Sequence, residues 1–490
     1  MRWFRTLLLA VSLVAAPAAA CAQASPAVQA LWREVTAGDV EAAYHVLLDN
    51  HPAALREAGD PAFLTTLERA HREALARAGS ATTFGGYAAT LGAFANAMDD
   101  HHIRSGPLLA PLRVQWPGFI VAKRGAAWLV VDEDPGPDGP LRGARLVSCD
   151  GRAPDDLARD GLGVFRVDWR IEAQQAEAAP WLLVDEGNPF VARPKACAVD
   201  VGGQPRQVTL AWRDTPRQRL LPRLIKAAGE GEAGFGVRAA GPGYWISVQT
   251  LSAAAAPVVA AVRRQQDALR AAPFVVLDVR GNGGGASTYG RQIAEALMGE
   301  AHVRSLLGVE SADCGEAWRV SATALASLRA DQETIGRTAG PEEKALIDQM
   351  YARTLAAQAE GRPFSADLAC AAHSARKPAP APSLMKGRMV LLTDTACFSS
   401  CLSVADDFRR LGALHLGAPT DAATRYTEVT ALPLPSGLAI FSTLQAVDAS
   451  SPPQLGPFEP AQRFTGDMAD TPAVEAWVLA ALAKPSPGRS

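Results

Sequence analysis

The segment Phe274-Val275-Val276-Leu277-Asp278-Val279 is apolar on both faces apart from one aspartate. An extended stretch with no face to give to water belongs inside a sheet that is covered on both sides, as parallel strands are. It runs into Arg280-Gly281-Asn282-Gly283-Gly284-Gly285, and a helical pattern follows from Ser287 to Met298. Tyr244-Trp245-Ile246-Ser247-Val248 reads as a preceding strand, and Ala253 to Leu269 as an alanine-rich helix between the two. The same order returns later: a strand at Met389-Val390-Leu391-Leu392-Thr393, a helix from Ser399 to Leu411, and a strand at Leu414-His415-Leu416. Alternation of this kind predicts an α/β core around a parallel sheet. A hairpin around Pro435-Ser436-Gly437, with arms Tyr426 to Leu432 and Leu438 to Thr443, and a helix from Thr471 to Leu482 complete that part.

The remainder is organised differently. Residues 26–98 read as helices, with Asp60-Pro61 as an N-cap and first helical position and Gly79 as a stop. Phe63, Leu67, Ala70 and Ala74 share one face, as do Tyr87, Leu91, Phe94 and Met98. From 112 to about 214 short strands alternate with Gly/Pro-rich turns, at Val114, Phe119 to Val121, Trp128 to Val131, Ala144 to Val147 and Val208 to Leu210. Residues 301–383 form a helical insertion that closes on the Pro-rich segment 377–382. The expected division is a leader over 1–24, a helical domain over 25–105, a β-rich domain over 106–215, a core over 216–300 and 384–485, and the insertion over 301–383.

With 490 residues there is room for two or three domains at about 150 residues each. A net charge of -3, without a long basic run, argues against a nucleic-acid partner. Arg2 and Arg5, the apolar run Leu7 to Ala16 and Ala22-Gln23-Ala24 have the order of an export signal with its cleavage site. The apolar run is too short for a membrane span, which needs about 18–20 residues. Ala19-Ala20-Cys21 leaves a second reading open, a lipidated Cys21 anchoring the chain to a membrane. Six of the seven cysteines then remain in an oxidising compartment. Chain order suggests the pairs Cys149–Cys197, Cys314–Cys370 and Cys397–Cys401, and the Cys-x3-Cys spacing lacks the second close pair that a zinc site would need.

Two features carry chemistry. Consecutive glycines after Asp278-Val279-Arg280 let the backbone turn sharply and aim N–H groups outward, which suits an oxyanion. Ser399 and Ser400 stand where a helix opens after a buried strand; a serine there is either an ordinary N-cap or a nucleophile favoured by the positive end of the helix dipole.

In this order and spacing the residues resemble the tail-specific, or C-terminal-processing, serine peptidases, including their tricorn-like and interphotoreceptor retinoid-binding-like branches. Asp278 to Gly285 resembles that family's Asp-x-Arg-x-Asn-x-Gly-Gly signature, Ser399-Ser400 its nucleophile segment and Asp100-His101-His102 its Asp-x-His element. Gly139 to Gly151, ending in an Asp-Gly turn, resembles the core of a PDZ domain. The resemblance implies a ClpP/crotonase-like catalytic core with an N-terminal helical domain, a PDZ-like domain and the helical insertion. It implies Ser399 as nucleophile, with Ser400 as the alternative, and an oxyanion hole from backbone N–H groups of Ser400 and of Gly283 or Gly284.

The base departs from the best-known members, which pair the serine with a lysine in a Gly-rich turn. Here that region is Leu416 to Arg425 and holds no lysine. Arginine stays protonated and cannot replace it. Histidine is the remaining base, as in the tricorn-like branch, with His102 fitting the motif best and His101 as the alternative. Glu428 is the first choice for the acid that orients it, and Glu459 the second. Such a chain would be an exported serine endopeptidase, periplasmic or secreted, acting on polypeptides bound as an added strand, with neither metal nor organic cofactor. The rival reading is an inactive periplasmic binding or scaffold protein of the same fold. An esterase is a third reading, although no G-x-S-x-G elbow surrounds Ser399.

Overall fold

The computed structural model describes residues 25–109, 111–136, 139–308, 316–334, 341–368 and 379–483. The leader, Cys21 and the suggested Cys314–Cys370 pair lie outside the described residues. Among the described residues no helix is long and apolar enough to cross a membrane.

The centre is a six-stranded sheet in the spatial order Gln462–Arg463, Leu414–Gly417, Arg388–Thr393, Phe274–Asp278, Gly243–Val248 and Phe235–Ala240. All neighbours are parallel except the last pair. Alternation along the central strands explains why both faces had to be apolar. Val275, Leu277, Met389 and Leu391 face the helices Ala256–Arg264, Thr288–Met298 and Ser400–Arg410, whereas Val276, Val390 and Leu392 face the C-terminal helix Thr471–Ala483. Gly290 is what lets two of these helices touch: a Cβ there would stand 2.3 Å from Val404.

The alanine-rich segment expected as one helix is broken into Ala253–Ala255, Ala256–Arg264 and Gln266–Ala271. The hairpin of Tyr426–Pro433 and Ala439–Val447 also departs from the expectation that it belongs to the core. It forms a separate sheet with Ser105–Pro107 and Ala317–Trp318. Its buried Phe441 and Leu444 find their apolar partners on Pro26–Asn50, Pro61–Ala78 and Phe84–Asn96, among Leu47, Leu67, Leu91 and Phe94. The hairpin thus ties the N-terminal helices to the core.

A five-stranded antiparallel sheet in sequential order, from Phe119–Arg124 to Gln204–Thr209, has a core of its own around Val121, Trp128, Leu146 and Val199. Cys149 and Cys197 stand directly opposite on adjacent strands and are joined by a disulfide. The Asp150-Gly151 turn follows with both residues at positive φ, and the Asp150 carboxylate accepts the N–H groups of Lys195 and Ala196. The short helices Pro154–Asp160 and Glu172–Ala178 follow.

Candidate active site

The strand Phe274–Asp278 delivers the glycine loop, and each polar residue of that loop is spoken for. Arg280, with no exposed surface, is paired with Asp278 and donates to Met468 O at 2.7 Å. Trp245 Nε1 donates to Asp278 Oδ2 at 3.0 Å, an oxygen it shares with Arg280. Asn282 donates to Val248 O and accepts the N–H of Gly284, so one side chain spans the neighbouring strand and the turn. The adjacent strand Arg388–Thr393 is followed directly by Asp394, which accepts the N–H groups of Gly231, Gly281 and Ala396. Burial pushes the Asp394 carboxyl up to about 6 against the pull of those donors.

These bonds bring the loop onto the serine turn. Phe398 N–H donates to Asn282 O at 3.2 Å, and Ser400 Oγ to Gly285 O at 2.5 Å. A Cβ on Gly284 would lie 2.8 Å from Ser399 Cβ, so only glycine admits this approach. Ser399 itself sits at φ 56, ψ -131, where a residue with a β-carbon is strained. Its hydroxyl does not cap the helix and has no hydrogen-bond partner among the described residues, including His102.

The two candidate serines therefore differ: the Ser400 hydroxyl is tied to a carbonyl, whereas that of Ser399 is unengaged. The expected anion donors differ as well. Gly284 N–H is not available, because Asn282 takes it at 2.9 Å. The N–H groups of Gly283 and Ser400 have no protein acceptor among the described residues, and nothing crowds Gly283 within 4 Å.

The histidines reach this point from the N-terminal region. Helix Phe84–Asn96 ends before them, and Asp99, at φ 56, reverses the chain into the turn that carries Asp100, His101 and His102. Ser442 of the hairpin latches this turn: its hydroxyl donates to His102 O at 2.6 Å and accepts Arg104 N–H at 2.7 Å. Both imidazoles lie against Phe398, the residue before Ser399, with ring centroids 4.3 Å away for His102 and 5.1 Å for His101.

Each ring has its own acid at Nδ1. His102 Nδ1 meets Asp100 Oδ1 at 2.9 Å, which leaves Nε2 without a hydrogen bond among the described residues. His101 Nδ1 meets Asp421 Oδ2 at 2.7 Å, and its Nε2 is covered by Arg104 and stands 3.5 Å from Glu177. Burial opposes ionisation of Asp100, but hydrogen bonds from the His102 ring and N–H and from Thr424 hold its carboxyl down to about 2.

Glu428, the acid expected to orient His102, is not the residue there. It lies beside Glu316 on the hairpin strand, and Glu459 is engaged by Arg463. Asp100 is closer in sequence than a search for a distant acid would suggest, and its own backbone turn aims it at the ring. Asp421 and Thr424 lie in the lysine-free segment Leu416 to Arg425, where no local pattern distinguishes them. Among the described residues no group of three or more His, Cys, Asp or Glu could hold a metal ion.

Residues 245–451 match the family model described as peptidase family S41. Ser399 and the glycine loop fall inside that span, whereas Asp100, His101 and His102 precede it. No curated protein matches the chain significantly. Among solved structures, the chain is similar to a CPAF S499A mutant, with a TM-score of 0.57 and 13% identity, covering 92% of this chain and 98% of that one. It is similar to mature CPAF, with a TM-score of 0.56 and 13% identity over 88% and 93% of the two chains. Mature CPAF in a complex with lactacystin also matches, at 0.56 and 12% over 92% and 99%. Identities this low establish a shared mixed α/β fold.

Proposed function

We propose that this chain, a member of peptidase family S41 through residues 245–451, is an exported serine endopeptidase in which Ser399 is the nucleophile and His102 its base. The observation that carries this reading is the His102 ring seated on Phe398 with Nδ1 on Asp100, so that the bare Nε2 is the end left for the neighbouring serine. On this reading the six-stranded sheet is a ClpP/crotonase-like core and the five-stranded sheet a PDZ-like domain.

His102 Nε2 takes the Ser399 proton as Oγ attacks the scissile carbonyl. The resulting oxyanion is met by the N–H groups of Gly283 and Ser400, and Gly284 contributes by its lack of a side chain. Collapse expels the amine, which receives the proton from His102, and a water activated by the same imidazole releases the acyl group. Asp100 holds the Nδ1–H tautomer and stabilises the imidazolium. The two disulfides described suit an oxidising compartment, in keeping with the export signal.

A fluorophosphonate probe tests the reading. Wild type should be labelled and should cleave unfolded casein, and Ser399→Ala and His102→Ala should each abolish labelling. Equal labelling of Ser399→Ala and wild type would remove Ser399 as nucleophile. A wild type that is not labelled and leaves casein intact would be a binding protein of this fold, and cleavage of a p-nitrophenyl ester without casein would point to an esterase.

A further inference from the structure

The segment in which a dyad lysine is missing makes two attachments that together span the site. The N–H of Asp421 donates to Cys397 O at 3.0 Å, two residues before Ser399. The carboxylate of the same residue receives His101 Nδ1 at 2.7 Å, one residue before His102. A single buried residue, 3% exposed, thus has its main chain on the serine turn and its side chain on the histidine turn.

The carboxylate is fixed on its other oxygen too. Asp421 Oδ1 accepts Gln174 Nε2 at 2.8 Å and Ala422 N–H at 2.7 Å. Gln174, also 3% exposed, comes from the helix Glu172–Ala178 of the middle region, and its Oε1 accepts Asp168 N–H at 2.8 Å. Three residues on, Thr424 donates to Asp100, the acid of His102. One stretch of chain therefore grips both imidazole–carboxylate pairs, and its central residue is held from the middle region.

We propose that Asp421 is a positioning residue: it sets the separation of the histidine and serine turns, and Gln174 couples that separation to the middle region. This rests on the reading of Ser399 and His102 as nucleophile and base. Neither Asp421 nor Gln174 is assigned contact with reacting atoms. Without the bonds to His101 and Gln174, the histidine turn keeps Ser442, the Thr424–Asp100 bond and the packing of its rings on Phe398, but loses the hydrogen-bonded bridge that Asp421 makes to the serine turn. A shift of about 1 Å between reacting groups costs roughly a hundredfold in rate.

The test combines probe labelling with hydrogen exchange on the full chain. Asp421→Ala, Asp421→Asn and Gln174→Ala are compared with wild type, each checked first by thermal unfolding. The expected result is a roughly tenfold to hundredfold slower labelling of Ser399 in Asp421→Ala. A lower kcat with little change in KM should accompany it, with partial recovery in Asp421→Asn and a smaller loss in Gln174→Ala. Amides of 99–104 and 397–402 should exchange faster in Asp421→Ala, while those of the strand Phe274–Asp278 stay protected. Unchanged labelling together with unchanged exchange in both turns overturns the proposal. Should wild type fail to label, the catalytic reading falls, and exchange in the two turns alone decides whether Asp421 joins them. If Asp421→Ala does not fold, Asp421→Asn and Gln174→Ala decide by the same two measurements.

Discussion

The hydroxyl of Ser400 donates to the carbonyl oxygen of Gly285 at 2.5 Å, so of two adjacent serines one is a strut and the other is unengaged. Ser400→Ala should therefore remain labelled by a fluorophosphonate, with activity reduced less than about tenfold, because its backbone N–H is retained. Ser399→Ala should lose labelling altogether. The reverse pattern would make Ser400 the nucleophile.

Asp100→Asn keeps the shape of the side chain and replaces an acceptor with an amide that can present a donor to His102 Nδ1. The wrong tautomer then places a proton on Nε2, where a lone pair is needed. A loss of kcat of about 10²–10⁴ is expected, comparable to that of an acid removed from a serine triad. Steady-state kinetics against Glu428→Gln provide the contrast. A larger loss in Glu428→Gln would return the orienting role to Glu428.

Gly284 has φ 105, and a Cβ there meets Ser399 Cβ at 2.8 Å, Phe398 O at 3.0 Å and Ser400 N at 3.0 Å. Gly284→Ala should displace the serine turn and lower kcat by at least about a hundredfold. Gly283→Ala, with open space around its Cβ, should be milder. The two variants are to be compared by burst labelling and circular dichroism, and equal effects would contradict the assignment.

The disulfides differ in what they close. Loop-closure entropy gives about 2 kcal/mol for the short Cys397–Cys401 loop and about 4 kcal/mol for the longer Cys149–Cys197 loop. Double serine variants should follow that order in urea unfolding. Activity should follow the opposite one, because Cys397 and Cys401 bracket Ser399.

Burial, with Arg409 nearby, lowers His415 to about 4. From pH 6.5 down to about 4 the unfolded chain binds a proton there that the native chain refuses, so this contribution to stability is lost on acidification. Glu230 and Asp394, pushed up to about 7 and about 6 chiefly by burial, act in the opposite direction. The comparison is therefore wild type against His415→Gln, in which those carboxyls cancel. Between pH 7 and pH 5 the wild type should lose up to about 2 kcal/mol more than the variant. Parallel urea midpoints would contradict the buried neutral ring.

The α/β core was legible along the chain, because strands apolar on both faces and a glycine turn before a helix are local patterns. Phe274 to Asp278, Arg388 to Thr393 and the helix from Ser400 follow from alternation and helical spacing within a dozen residues. Folding in three dimensions settled the rest: which acid meets which histidine, which serine hydroxyl is engaged, and that the hairpin leaves the core sheet for the N-terminal helices. Those outcomes depend on contacts between residues hundreds of positions apart, such as Asp421 with His101 and Phe398 with His102, where no periodicity carries the information. A carboxylate in an unpatterned loop looks like any other until the chain has folded around it.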